Sequence, residues 1–96
     1  MTMLQVPVHP GDVLNELYLE PLNMSAPALA KKLGVPRTRI ERVCKGEVAL
    51  SVDTAFRLAK FFGTTPEYWV NMQKNYELIR ARSEIDVSNI QPLEAA

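Results

Sequence analysis

One cysteine and one histidine are the whole thiol and imidazole content of this 96-residue chain. A lone cysteine excludes an intramolecular disulfide and makes a reducing cytoplasm the expected compartment. No Cys/His set has zinc-ligand spacing, and the four glycines are scattered, so neither a metal site nor a glycine-rich phosphate loop is expected. No apolar run approaches the ~20 residues that cross a bilayer, and no basic segment followed by an apolar run opens the chain. A membrane span and a signal peptide are therefore not expected. The carboxylates are scattered, and His9 has no partner for acid–base work. The chain is not expected to be an enzyme or to hold a cofactor. It has no internal repeat and no low-complexity segment. Its apolar share of 47% is enough for one small core. The expected division is a tail over residues 1–7, one domain over 8–82 and a C-terminal arm or tail over 83–96.

The formal charge is zero, from 11 basic and 11 acidic residues, but it is sorted along the chain. Residues 1–30 carry Asp12, Glu16 and Glu20 and no base, for a net −3. The stretch KKLGVPRTRIERVCKG, residues 31–46, has six bases against Glu41 alone, for a net +5; the remainder is −2. A neutral total thus hides a concentrated cationic segment.

Caps and periodicity place five helices. The first opens at Pro10 with Asp12 in its first turn, carries Val13, Leu14, Leu17 and Tyr18 at helical spacing, and is expected to stop at Leu19 or Glu20, ahead of Pro21. Ser25 caps the second, with Met24 and Leu29 at staple positions and Leu29, Ala30 and Leu33 as its buried stripe; Gly34 ends it. The third spans about Arg37 to Lys45 before Gly46, with Pro36 either as its cap or as its first residue. Ser51 caps the fourth, whose expected core face is Val52, Ala55, Phe56, Leu58, Ala59 and Phe62. Thr65 caps the fifth, which opens at Pro66 and runs to about Arg82. Ile85 and Val87 alternate with charged neighbours, as in a short strand or an extended arm.

The third helix is two-faced. At about 100° per residue, Ile40, Val43 and Cys44 share one side, while Thr38, Arg42 and Lys45 share the other with Arg39 and Glu41 on its flanks. Arg37 points forward from its N-terminus. A short helix, a three-residue turn and a second helix presenting such side chains form a helix-turn-helix over about 25–46. Arg pairs with guanine edges, Thr reaches a base edge or a thymine methyl, and bases and helix N-termini hold phosphates. The DNA-facing candidates are Arg37, Thr38, Arg39, Arg42 and Lys45, joined by Ser25 and Lys32. A cationic face is also often only a solvated surface or a dock for an acidic protein; the tight turn and split wheel favour DNA.

These residues carry a family resemblance. LAKKLGVPRTRIERVCKG resembles the helix-turn-helix of the lambda-repressor-like (XRE) family. HPGDVLNELYLEPLNMSAPALAKKLGV with LSVDTAFRLAKFFGTTPEYWVNMQKNYEL resembles the HigA antitoxins, including proteins labelled virulence-associated protein I, over roughly Val8 to Val87. The resemblance implies an all-α, five-helix homodimer that binds a palindromic operator in its own promoter and neutralises a HigB-type toxin, an mRNA-cleaving ribonuclease. It places Arg37 and Thr38 at base-reading positions, and Arg39, Arg42 and Lys45 at base or phosphate contacts. Two positions depart from the pattern: Pro36 stands where serine is frequent, and Ala26 where some repressors carry glutamine. A stand-alone XRE repressor without a toxin is the alternative. The dimer candidates are Trp69, Tyr76 and Ile79 with Ile85 and Val87 of the arm; for Trp69 a place closing the core is the favoured alternative. His9 is expected to cap or pack against the first helix. Cys44 is expected to be a small core residue, with a redox role conceivable beside so many bases.

Overall fold

The computed structural model describes residues 6–94; the outer parts of both expected tails, residues 1–5 and 95–96, lie outside the described residues. Five helices and no strand make up the described residues, so the all-α expectation holds. They are α1 (residues 10–22), α2 (Ala26–Leu33), α3 (Arg37–Cys44), α4 (Val52–Phe62) and α5 (Pro66–Glu84).

Local caps set most of the boundaries. Ser25, Ser51 and Thr65 each accept the backbone N–H three residues on, and Gly34 and Gly63 close α2 and α4 in the left-handed conformation. α1 departs from its expectation. Its middle, Leu14–Leu19, is a π-helical turn in which the Glu20 N–H reaches Asn15 O, five residues back. A proline ring normally collides with the carbonyl four residues earlier. The widened turn gives Pro21 room, so the helix continues through it to Leu22 and ends at left-handed Asn23. The inserted residue also rotates the apolar stripe: Leu14 and Leu19 are buried, while Leu17, expected inside, is 63% exposed.

The core gathers Leu14 and Leu19 from α1, Leu29, Ala30 and Leu33 from α2, and Ile40 and Val43 from α3. Ala55, Leu58 and Ala59 of α4 and Trp69 of α5 complete it, with Leu50 from the preceding loop. Trp69 is fully buried, its ring centroid 5.2 Å from Tyr18 and 5.0 Å from Tyr68, and its Nε1 donates to Thr64 Oγ1 at 2.8 Å. The expected core face of α4 needs correction: Val52 and Phe56 point outward, because the buried stripe runs through Thr54, Ala55, Leu58 and Ala59 instead. α5 runs about three turns further than its core requires. Beyond Gln73 it buries no residue, and the arm after Glu84 forms no strand. No helix among the described residues is long and apolar enough to cross a membrane.

Candidate nucleic-acid interface

The turn between α2 and α3 is compressed by three residues with fixed conformations. Gly34 is left-handed, the Val35 N–H returns to Ala30 O at 3.1 Å, and Pro36 is extended. Pro36 is thereby the cap position of α3, and having no side-chain acceptor it leaves the first N–H groups of the helix uncapped. That end of α3 carries the positive pole of the helix dipole and faces outward, flanked by exposed Arg37 and Thr38.

α3 divides as its periodicity requires. Ile40 and Val43 are buried, Cys44 is half-buried, and Arg37, Thr38, Arg42 and Lys45 are exposed. Among the described residues no ion pair engages Arg37, Lys45 or Lys32. Arg42 makes only a loose one, with its Nε 3.7 Å from Glu47. Ser25 is exposed at the start of α2, where its hydroxyl caps the helix.

Arg39 is different. Its guanidinium lies 2.5 Å from Asp53 in the first turn of α4, and Arg57 Nε lies 2.9 Å from the same carboxylate oxygen. Arg57 Nη1 also donates to Leu33 O, the last carbonyl of α2, at 2.8 Å. One carboxylate therefore ties α3 to α4, and through Arg57 to α2. Hydrogen bonds from Arg39 and Arg57 hold the Asp53 carboxyl below the usual carboxylate range. Asp53 lies in the first turn of α4; the tether joins residues 14 apart, and no local pattern announces it.

The C-terminal end of α3 is held by α1. Gly11 lies against the α3 backbone so closely that a Cβ there would fall 1.9 Å from Val43 O. Asn15 Nδ2 donates to Cys44 O at 3.0 Å. His9 serves this junction: its Nδ1 accepts the Gly11 N–H and its Nε2 lies 2.9 Å from Val48 O, which makes the Nε2-protonated tautomer the one that satisfies both. Its ring packs edge-on to Tyr76 at 4.9 Å and borders Gly46. Buried Gln73 then accepts the Leu50 N–H at 2.8 Å, fixing the loop that leads away from α3. The expected capping role of His9 holds, and the loop's anchors on His9 and Gln73 are long-range additions. Burial pushes the Cys44 thiol up to about 11, which keeps it protonated near neutrality and removes the thiolate a redox role needs.

The dimer candidates separate. Trp69 is withdrawn into the core and offers no surface, so it is corrected from a contact to a core residue. Tyr76 and Ile79 are half-buried on the outer half of α5, and Ile85 and Val87 are exposed on the arm.

The helix-turn-helix family model matches residues 16–69. The chain is 41% identical to virulence-associated protein I of Dichelobacter nodosus over 83 residues, covering 86% of this chain and 77% of that protein. It is 35% identical to antitoxin HigA-1 of Vibrio cholerae over 89 residues, covering 91% and 84%. Its fold superposes with a TM-score of 0.85 on the Pseudomonas aeruginosa antitoxin HigA with the higBA promoter, at 30% identity, covering 93% of this chain and all of that one.

Proposed function

The chain belongs to the helix-turn-helix family, among relatives that include HigA-type antitoxins, and from that premise we propose that it is an antitoxin that represses its own operon as a homodimer. α3 enters the major groove. Arg37 and Thr38 read base edges from its uncapped first turn, and Arg42 and Lys45 hold phosphates along the exposed face. Lys32 and the N-terminus of α2 at Ser25 take the adjoining backbone. Arg39 is a positioning residue, held by Asp53. A two-fold dimer sets two α3 helices about 34 Å apart on a palindromic site. The second partner is a HigB-type toxin, as the antitoxin relatives suggest.

The observation that carries this reading is the exposed, uncapped, cationic face of α3 immediately after a helix-turn-helix turn. The test is an anisotropy titration at physiological salt with the DNA just upstream of the gene, against scrambled DNA. The expected result is binding as a dimer with a preference of ~10³-fold or more. Equal binding to both sequences would refute operator recognition. Co-purification of a small basic protein encoded beside the gene tests the toxin partner separately.

A further inference from the structure

Among the exposed apolar side chains of the described residues, two sets carry opposite charge. The first is an open groove of about 630 Å³ between α2 and α4, lined by Leu33, Phe56 and Phe61. Phe56 is 61% exposed and Phe61 39%, although aromatic rings are among the most costly groups to leave in water. Lys32, Arg57 and Lys60 edge this groove, and the one acid there, Asp53, is already committed to Arg39 and Arg57. The groove is therefore aromatic and net cationic. The second set is the arm. Ile85, Val87, Ile90 and Leu93 are all more than half exposed; its charged residues are Asp86 and Glu94, and no base follows Arg82. It is aliphatic and anionic.

No residue of the arm lines the groove of its own protomer. α5 carries 19 residues, about 28 Å of helix, and its last turns leave the body, so the molecule measures 56 × 25 × 22 Å. We propose that the arm of each protomer docks in the Phe56–Phe61 groove of a second copy of this chain, reciprocally, with Ile90 and its aliphatic neighbours against the rings and Asp86 facing Lys60 or Arg57. This rests on the homodimer reading above and specifies what the arm binds. It makes the groove on α4, absent from the dimer candidates, half of the interface.

The test is sedimentation equilibrium of the full chain and two variants at physiological salt. Phe56→Asp removes the groove and Ile90→Asp removes the arm anchor. Both sites are exposed, so the variants should keep the wild-type circular-dichroism spectrum, with no fall in melting temperature beyond what weaker dimerisation itself accounts for. Each variant alone carries its change in both protomers, so both reciprocal contacts are left unmade and dimerisation should weaken by on the order of tenfold or more. An equimolar mixture should dimerise more strongly than either variant alone, because the heterodimer regains one intact arm–groove contact. A wild-type dimer that Phe56→Asp leaves unchanged, or a mixture no stronger than its components, would overturn the arm–groove exchange while leaving the homodimer standing. A wild type that stays monomeric would instead overturn the homodimer reading, and this proposal with it.

Discussion

At the scale of single residues, Gly11 carries the sharpest constraint. Replacing glycine by alanine within a helix ordinarily gains up to about 1 kcal/mol. Here the added Cβ would meet Val43 O at 1.9 Å and Val43 C at 2.8 Å, both backbone atoms that cannot rotate away. Gly11→Ala is expected to lose about 1–3 kcal/mol net, seen as a lower urea midpoint at unchanged m-value; a stability at or above wild type would mean that α1 and α3 separate freely. Arg37 and Arg42 should fail in different ways. Arg37→Ala is expected to lose about 1–3 kcal/mol on the operator and relax preference at one base pair. Arg42→Ala should weaken all sequences alike and flatten the salt dependence by roughly one phosphate contact. If Arg37→Ala proved equally harmful on random DNA, it would be a phosphate contact. Cys44 gives a pH signature. Its folded thiol titrates at about 11, above an unfolded value near ~8.5. Its stabilising contribution is therefore full below about pH 8.5 and declines as pH rises towards the folded value. Alkylation at pH 8 should be on the order of a hundredfold slower than for free cysteine; rapid labelling would mean the thiol is open to solvent.

At the scale of elements, what was legible in the sequence was what is encoded within a few residues. Ser25, Gly34, Ser51, Gly63 and Thr65 announce their helix ends because a cap bonds its own first or last turn. The two faces of α3 are legible because Ile40 and Val43 sit at helical spacing amid charge. What failed depends on context. Pro21 reads as a stop unless the π turn before it is known, and that turn also moves Leu17 to the surface. Phe56 reads as core by its chemistry, although the neighbours that pack α4 are Ala55 and Ala59, small enough to bring helices close. The Asp53 tether joins three helices across long sequence separations, and it has a consequence for DNA. Asp53→Asn should release Arg39 and Arg57 beside α3. Binding to all DNA is then expected to steepen with salt by about one further phosphate contact, with a modestly lower melting temperature. An unchanged slope would place Arg39 off the DNA whether or not it is tethered. Since Asp53 titrates below the usual range, the tether is present above the ordinary carboxylate range and is lost only as pH falls through its lowered folded value.

At the scale of the whole molecule, the radius of gyration is 16.7 Å, against roughly 12–13 Å for a compact chain of this length. The excess lies in the outer half of α5 and the arm, whose apolar residues are half-buried or exposed. Charge is sorted on the same scale, with acids on α1 and bases on the α2–α3 segment. The rest of the chain grips the inward side of α3. α1 holds it through main-chain atoms, Val43 O against Gly11 and Cys44 O on Asn15, and its core side chains are Ile40 and Val43, with half-buried Cys44 packed against them. Positions 37, 38, 42 and 45 take no part in that grip. A library randomised at those four positions, with proline excluded, should remain mostly folded, each surface change shifting stability by about 0.5 kcal/mol or less, while its DNA preferences scatter widely. The fold thus separates heredity of shape from heredity of address: lineages can rewrite which operator they answer to without renegotiating the scaffold that presents it.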